Sequence, residues 1–459
     1  MPADRSQLPI PSADRPFRFP SILGHTLANG LRVRTVEHTS VPVATFVVQV
    51  AGGLGADPAG REGLASLTAD MVDEGTGALS AIDVSDALAR IGAEYDVEVG
   101  PDATMFTLTT LTRFADRGTA LLSRMLTRPA LREFDVERVR HLRLERVRQL
   151  KDLPPAVAER AFARLLYPGH PYGHLAIGTE ASLRGIGVDD VVRFHASTFT
   201  APRAAIVAAG AMSHNELLAF VEEAFSDWPG TPASSETIVT AADLQPDGAP
   251  GPRLVLVPRE GAAQSELRIG QLCARRDTPD YAPLVVMNAV LGGQFVSRIN
   301  MKLREEKAFT YGVRTGFDWR RGLGPFSIQT SVHTAASAEA IADSLKEVTD
   351  IRDTRPPTDS EMSLAKAGLT RGYPRNFETA QQVSRSVAQL LLFGLPETYF
   401  EEFVPKVTAV TADDVTRVAR SYLDPARPLT VVVGDRAATE ASLRALGLGE
   451  PQIVQADDQ

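Results

Sequence analysis

The segment that decides the fold is Asp189-Asp-Val-Val-Arg-Phe-His-Ala-Ser-Thr-Phe-Thr-Ala-Pro-Arg-Ala-Ala-Ile-Val-Ala-Ala-Gly210, because the chain repeats its pattern. Its second copy is Asp413-Asp-Val-Thr-Arg-Val-Ala-Arg-Ser-Tyr-Leu-Asp-Pro-Ala-Arg-Pro-Leu-Thr-Val-Val-Val-Gly434, which aligns without a gap at an offset of 224 residues. The first copy predicts a helix that begins near Val188 and ends before Pro202, followed by a strand over 204–209.

A second echo supports a duplication. Arg128-Pro129 precedes one helical pattern and Arg355-Pro356 precedes another, at an offset of 227 residues. Two matches at nearly the same offset are typical of an internal repeat. Between them, residues 229–252 are rich in Pro, Gly, Ser and Ala without periodicity, which is typical of a linker. The sequence therefore predicts two similar α+β domains, over 1–228 and 253–459, joined by the linker 229–252.

Further elements follow from local patterns. Asn29-Gly30 between apolar runs predicts a hairpin turn with positive φ at both residues. The apolar spacing of Leu64, Leu67 and Met71 predicts a helix over 63–74. Three further patterns predict a strand over 41–50, a strand over 102–111 and a long helix over 135–151.

Composition excludes several classes of protein. The 459 residues carry a net charge of −9 and one cysteine, Cys273. One cysteine excludes an intrachain disulfide framework and a multi-cysteine metal cluster. The negative charge argues against binding to nucleic acid or to an anionic membrane surface. We expect a cytoplasmic protein with no membrane span, because no signal peptide is visible and the apolar stretch 204–212 is about half the required length; a removed leader would make it periplasmic.

Histidine patterns give little support for a metal site. His170 and His174 are four residues apart, but Pro and Gly between 167 and 174 break any helix, which favours a turn or capping role. The chain contains neither His-x-x-Glu-His nor His-Glu-x-x-His. It also lacks Gly-x-Ser-x-Gly and both phosphate-loop fingerprints, so self-contained catalysis of these kinds is unsupported.

Two segments carry a specific resemblance. The first runs from Gly55-Ala-Asp-Pro through Gly63-Leu-Ala-Ser to Gly75-Thr76, and the second from Leu291-Gly-Gly-Gln-Phe-Val-Ser-Arg298 to Tyr311-Gly-Val313. Both resemble the M16 family of zinc peptidases, which includes pitrilysin and the mitochondrial processing peptidase. The agreement extends to Leu27–Val33, Tyr172-Gly173, Gly178 and Gln264. The resemblance implies two homologous domains of mixed sheet flanked by helices, closing like a clamshell around a cavity.

The chain departs from the family pattern at the metal motif. Active members carry His-x-x-Glu-His after Gly-Leu-Ala, and the matching positions here are Ser66, Ala69 and Asp70. Glu145 is the best match to the family's downstream glutamate ligand. A hydroxyl and two carboxylates suit Mg²⁺ or Ca²⁺ better than Zn²⁺. We therefore expect a degenerate site without a metal.

The second segment keeps what the first has lost. The resemblance implies that Arg304 and Tyr311 correspond to an arginine and a tyrosine with which the C-terminal domain of active members binds substrate beside the zinc. A guanidinium and a phenol can donate hydrogen bonds to the oxyanion of a peptide under attack. The structural alternative is an arginine paired with Glu305 or Glu306 and a tyrosine with a buried ring.

An arginine–tyrosine pair without a metal motif indicates a chain that holds only part of an active site. Our hypothesis is that this chain is the non-metal subunit of a heterodimeric peptidase, inactive alone, whose partner carries His-x-x-Glu-His and the zinc. The substrates would be peptides, bound as extended strands at a sheet edge; whether 102–111 is that edge stays open. The alternatives are a purely structural subunit and an autonomous hydrolase with an unusual ligand set.

Overall fold

The computed structural model describes residues 17–230 and 253–456. Most of the predicted linker, residues 231–252, lies outside the described residues. We refer below to residues 17–230 as the first half and to residues 253–456 as the second half.

The first half contains one six-stranded sheet, a separate two-stranded sheet and helices. Its strands are β1 (Ile22–Thr26), β2 (Arg32–Glu37), β3 (Val43–Val50), β4 (Gly75–Thr76), β5 (Leu79–Ser80), β6 (Glu94–Val99), β7 (Thr104–Leu111) and β8 (Ala204–Gly210). Its helices are α1 (Leu64–Asp70), α2 (Ala81–Arg90), α3 (Ala115–Thr127), α4 (Glu133–Lys151), α5 (Pro154–Leu166), α6 (Glu180–Gly185), α7 (Val188–Thr198) and α8 (His214–Phe225).

The second half repeats this plan. Its strands are β9 (Leu254–Pro258), β10 (Gln264–Ala274), β11 (Arg314–Phe317), β12 (Gly324–His333), β13 (Leu429–Gly434) and β14 (Gln452–Ile453). Its helices are α9 (Tyr281–Asn288), α10 (Arg298–Asn300), α11 (Ser337–Thr349), α12 (Asp359–Arg371), α13 (Ala380–Phe393), α14 (Tyr399–Ala409), α15 (Ala412–Tyr422) and α16 (Arg436–Arg444). Three π-helical segments, Ala289–Gly293, Met301–Glu306 and Asp350–Thr354, extend α9, α10 and α11.

The two large sheets have matching strand orders. The first is β1-β2-β8-β3-β7-β6, and the second, read in the corresponding direction, is β14-β9-β13-β10-β12-β11. Their inner strands pair in the same senses, but β1 is antiparallel to β2 whereas β14 is parallel to β9. The predicted duplication of a mixed α+β domain is therefore confirmed.

The repeated Asp-Asp pair has a local structural reason. In each copy the second aspartate reaches back to the residue that caps its helix: Gly187 N–H donates to Asp190 at 3.0 Å, and Thr411 N–H donates to Asp414 at 3.0 Å. Such capping satisfies backbone donors that have no partner within the helix. The predicted helix and strand of the repeat correspond to α7 and β8.

Equivalent helices pack on the sheet of the opposite half. Helix α5 of the first half contributes Val157, Ala161 and Phe162 to a core with β9 and β13. Helix α13, its counterpart, contributes Val383 and Val387 to a core that contains residues of β3 and β8. Because each half covers part of the other's sheet, separating the halves would expose both cores.

Three predicted elements differ from the observed ones. The hairpin is formed by β1 and β2, but its loop spans 27–31, and of the Asn29-Gly30 pair only Gly30 has a positive φ, 88°. Asn29 instead donates to main-chain carbonyls at 225, 226 and 228. The helix predicted over 63–74 ends at Asp70. The strand predicted over 102–111 is β7, which pairs with β3 and β6 and is therefore not an edge.

One apolar helical stretch was missed. The segment Tyr281–Glu306 is long and apolar enough to cross a membrane by length and composition, whereas the sequence analysis found no such stretch. In the structure 61% of its apolar window is buried within the protein, as in a core helix.

Candidate functional site

Helix α1, which carries the motif positions, is fixed at its start by Asp57. The Asp57 carboxylate accepts hydrogen bonds from the N–H groups of Gly63 at 2.7 Å and Ala65 at 2.6 Å. The Nε2 of His174 lies 2.9 Å from the same carboxylate. His174 therefore orients the aspartate that caps α1. His170 accepts a hydrogen bond from the N–H of Tyr172 at 3.0 Å, so the two histidines do not form a pair of metal ligands.

Two glycines of the resembling segments meet at this start. Gly63 has φ +93° and Gly178 has φ +80°, a conformation that other residues rarely adopt. A Cβ on Gly178 would lie 2.3 Å from the carbonyl oxygen of Glu62, so larger residues do not fit. This close contact holds the start of α1 against the loop that contains His174.

A guanidinium occupies the place between the motif side chains. The Nε of Arg143, on α4, donates to the Asp70 carboxylate at 2.8 Å, and its Nη2 donates to the Ser66 hydroxyl. Arg143 is 11% exposed, and Ala69, at the third motif position, is fully buried in the core. The positive charge beside Asp70 is thus supplied by the protein itself.

Glu145 does not join this group. It lies two residues beyond Arg143 on α4, and residues two apart on a helix point to nearly opposite sides. Its carboxylate pairs with Arg148 at 2.6 Å and lies 4.0 Å from His141. Glu145, the best sequence match to the family's glutamate ligand, therefore points away from Arg143 and bonds to other residues of its own helix.

The residues around Asp70 do not fit zinc. A catalytic zinc needs three protein ligands with lone pairs directed at one point, whereas Ser66 and Asp70 both accept hydrogen bonds from Arg143. Within the described residues, no group of three or more His, Cys, Asp or Glu side chains could hold a metal ion.

An open cleft remains at this place, which we call the Arg143 cleft. Its volume is about 600 Å³, and its lining includes Ser66, Asp70, Asp73, Glu74, Tyr95, Asp96, Val97, Arg143 and Arg146. Burial, helped by the neighbouring charges of Glu74 and Asp70, raises the pKa of Asp73 to about 6. Burial also raises the pKa of Glu74 more than Arg138 lowers it. The cleft therefore contains several carboxylates, but both polar side chains at the motif positions, Ser66 and Asp70, are hydrogen-bonded to Arg143.

The second candidate residue, Arg304, lies in the π-helical segment after α10. Such segments are rare and frequently occur at functional sites. Its guanidinium carbon lies 4.0 Å from the centre of the Phe295 ring, and its Nη1 lies 3.5 Å from the Glu305 carboxylate. That Nη1 is buried and has no hydrogen-bond partner within the described residues. The structural alternative predicted that Arg304 pairs with Glu305 or Glu306. The contact with Glu305 is present, whereas Glu306 pairs with Lys302.

The loop that carries Tyr311 is fixed by its backbone. Asn300 on α10 accepts the N–H of Val313 at 2.8 Å and donates to the carbonyl of the same residue at 3.0 Å. Thr330 on β12 donates to the carbonyl of Gly312 at 3.0 Å. Ala308, at the helix end, has φ +52°, a strained conformation for a residue other than glycine. The loop is thus held on both sides of Tyr311.

The Tyr311 side chain is free. It is 94% exposed, and no hydrogen bond or aromatic contact of its side chain is found in the described part of the chain. The predicted alternative of a buried tyrosine ring was therefore wrong. Tyr311 and Arg304 line one cleft of about 550 Å³, together with Gly292, Gly293, Phe295 and Asn300; we call it the Arg304 cleft. Spacing in the sequence predicted neither the cleft nor the exposure.

The neighbouring Arg298 has a structural role. It is 4% exposed and donates to the Glu361 carboxylate at 2.6 and 2.8 Å, and also to the carbonyls of Arg355 and Pro356. Burial opposes the charge of Glu361, but hydrogen bonds from Arg298 and from Thr358 outweigh it and lower the pKa of Glu361 to about 2. Arg298 therefore fixes the start of α12 against α10.

Sequence reasoning missed Arg143. Helix α4 carries five arginines, Arg138, Arg140, Arg143, Arg146 and Arg148, and no spacing rule separates the one that reaches the motif positions. The available signal was indirect: Asp70 at a former ligand position needs a cation once the metal is gone.

Two family models match the chain. The model described as insulinase (peptidase family M16) matches residues 32–180, and the model described as peptidase M16 inactive domain matches residues 185–369.

Curated relatives and solved structures agree with these matches. A protein of Mycobacterium tuberculosis named an uncharacterized zinc protease is 26% identical over 407 residues, covering 87% of this chain and 90% of the relative. The non-peptidase homolog YmxG of Helicobacter pylori is 22% identical, covering 88% and 92%. The crystal structure of a peptidase M16 inactive domain from Pseudomonas fluorescens has a TM-score of 0.83 at 23% identity, covering 90% of this chain and 98% of that one. The structural match shows the fold.

Proposed function

Because this chain belongs to peptidase family M16 but lacks the family's metal motif, we propose that it is the non-metal subunit of a heterodimeric M16 peptidase. Its partner would be a second M16 chain with an intact His-x-x-Glu-His motif, which would hold the zinc. This chain would hold no metal and would contribute Arg304 and Tyr311 to the hydrolysis of peptides at the partner's site.

One observation carries the proposal: a guanidinium nitrogen without a hydrogen bond and a fully accessible phenol line the same cleft. The backbone beneath Tyr311 is fixed by Asn300 and Thr330, while the side chain is 94% exposed and has no hydrogen bond or aromatic contact in the described protein. A structural tyrosine would gain free energy by burying its ring. An exposed tyrosine on a fixed loop instead favours contact with another molecule.

The chemistry of the pair suits peptide hydrolysis. When a peptide carbonyl is attacked, its oxygen gains negative charge, and charge-assisted hydrogen bonds from a guanidinium and a phenol stabilise that charge. The loss of one such donor typically costs about 2.7–4 kcal/mol of transition-state stabilisation. In this proposal both groups bind and orient the substrate carbonyl, and neither transfers a proton.

The alternative is a structural M16 subunit without a role in proteolysis. The contacts of Arg304 with Phe295 and Glu305 favour it, because they would also hold an arginine of purely structural purpose. The two functions differ in what this chain adds to the activity of its partner.

Reconstitution separates them. The chain, an M16 partner with an intact motif and their equimolar mixture are assayed on a quenched fluorescent peptide, with metal content measured for each. We expect a zinc-free, inactive chain alone and activity that appears only in the mixture. A complex that forms but cleaves no faster than the partner alone would favour the structural subunit, and stoichiometric zinc in the lone chain would revive the autonomous hydrolase.

A further inference from the structure

A third cleft, of about 290 Å³, lies where the two halves meet; we call it the interdomain cleft. Four of its lining side chains are arginines: Arg32, Arg203, Arg275 and Arg321. Two come from each half, and the end of helix α13 closes one side. The cleft shares no lining residue with the Arg143 cleft or the Arg304 cleft.

Most of the positive charge in this cleft is uncompensated. Asp277 pairs with Arg275 at 3.2 Å. In residues 17–230 and 253–456, no carboxylate forms an ion pair with Arg32, Arg203 or Arg321. The C-terminal end of α13 supplies roughly half a negative charge. About two to three positive charges therefore face the cleft without a counter-charge.

The arginines lie close enough together for their positive charges to repel one another. The pKa of Arg32 is lowered by burial and by the neighbouring charges of Arg34 and Arg321, and burial lowers the pKa of Arg203. Arg34 itself pairs with Glu397 at 3.0 Å, so the repulsion that remains is among the cleft arginines. Like charges held together in this way are relieved by a bound anion.

Buried donors without partners also line the cleft. Gln49 is 4% exposed, and its Nε2 has no hydrogen-bond partner within the described residues. The Nε of Arg203 is likewise buried and unpartnered, although the Nη2 of Arg203 donates to the carbonyl of Ala51 at 2.6 Å. A buried donor left unpaired destabilises the folded protein. A ligand that accepts several hydrogen bonds would remove this cost.

We propose that the interdomain cleft binds a polyvalent phosphate of about the size of pyrophosphate. The planar guanidinium of arginine matches the geometry of phosphate oxygens. A polyvalent anion can also balance about two to three positive charges, whereas a ligand with one carboxylate balances only one. The volume equals that of about ten water molecules, at ~30 Å³ each, which leaves room for two phosphate groups and some water. Because Arg32 and Arg203 belong to the first half and Arg321 to the second, such a ligand would tie the halves together.

Calorimetric titration of the full chain with inorganic pyrophosphate, at constant ionic strength, tests this site. Arg32 is only partly buried and the side chain of Arg321 has no hydrogen bond in the described protein, so the R32Q and R32Q/R321Q variants should fold. We expect one pyrophosphate per chain, binding about tenfold or more weaker in R32Q and weaker again in R32Q/R321Q. The matched control R90Q replaces an arginine on α2 that is 80% exposed and should bind as the wild type does.

Three results would overturn the proposal. They are no binding of pyrophosphate to the wild type, equal binding by wild type and R32Q/R321Q, or displacement of pyrophosphate by acetate at equal concentration. The last would assign the cleft to a carboxylate. Pyrophosphate should also raise the melting temperature of the wild type more than that of R32Q/R321Q. None of these outcomes depends on peptidase activity.

Discussion

The Arg143 cleft and the Arg304 cleft both contain a conspicuous arginine, but they use it in opposite ways. Arg143 donates to Ser66 and Asp70, so the motif positions are bonded within the protein. The Nη1 of each arginine is buried without a hydrogen-bond partner, but the Arg304 side chain donates no hydrogen bond in the described residues and shares its cleft with a tyrosine that is 94% exposed. The first arrangement is that of a site converted into structure, and the second leaves donors available to another molecule.

If the proposed function holds, this difference separates a lost site from a retained one. Replacing metal ligands by Ser66 and Asp70 would leave a carboxylate without its cation, and an internal guanidinium restores the charge balance. In the described residues, no side chain forms a hydrogen bond with the hydroxyl of Tyr311. Free donors on a fixed loop are therefore a better sign of function than the identity of the side chains alone.

The largest expected effect on stability concerns Arg298. It lies six residues before Arg304, but like Arg143 it donates hydrogen bonds to a carboxylate of the protein. The R298M variant leaves Glu361 without its guanidinium and should lower the free energy of unfolding by about 3 kcal/mol at pH 7. The folded pKa of Glu361, about 2, lies below its ordinary value of 4.5. Its contribution is therefore present above pH 4.5 and lost as the pH falls toward 2, so wild type and R298M should converge there. Urea unfolding at several pH values measures this; a constant gap down to pH 2 would contradict it.

A matched pair of substitutions compares the two clefts directly. R143M removes two charge-assisted hydrogen bonds and should cost about 2 kcal/mol of unfolding free energy. R304M removes only the stacking on Phe295 and the weak pairing with Glu305, and should cost about 0.5–1 kcal/mol. Denaturant unfolding of both variants measures the difference. Equal losses would mean that the two arginines have the same structural importance.

A third stability effect, small and dependent on pH, lies in the carboxylates of the Arg143 cleft. The folded pKa of Asp73 is raised from 3.8 to about 6, so the folded state holds its proton more tightly than the unfolded chain. Its contribution is favourable below pH 3.8 and is lost as the pH rises through 6. D73N should therefore stabilise the protein by about 1 kcal/mol at pH 7.5 and by nothing measurable at pH 4. Thermal unfolding at the two pH values tests this, and a gain that is the same at both would contradict the account.

Much of the fold could be predicted because its cues are local. The Asp-Asp repeat at 189–190 and 413–414 marks two helix starts, and the apolar runs after it mark two buried strands. The packing of α5 and α13 on opposite sheets could not be predicted, because apolar positions indicate that a helix face is buried but not against which sheet.

The sites divide in the same way. Arg304 and Tyr311 could be proposed from a family resemblance in which the two residues lie seven apart. Arg143 lies 73 residues after Asp70, and its role depends on which face of α4 meets α1. The arginines of the interdomain cleft come from four separate segments, so no sequence pattern joins them before the chain folds.

The most direct measurement is the turnover rate of the reconstituted complex with the R304M/Y311F variant of this chain. Size-exclusion chromatography should first confirm that the complex is intact, and R90M serves as the arginine control. The account predicts that kcat falls at least about 100-fold in R304M/Y311F, since each donor is worth 10²–10³ in kcat at sites of this kind, while R90M cleaves like the wild type. An intact R304M/Y311F complex that turns over peptide at the wild-type rate would contradict the account.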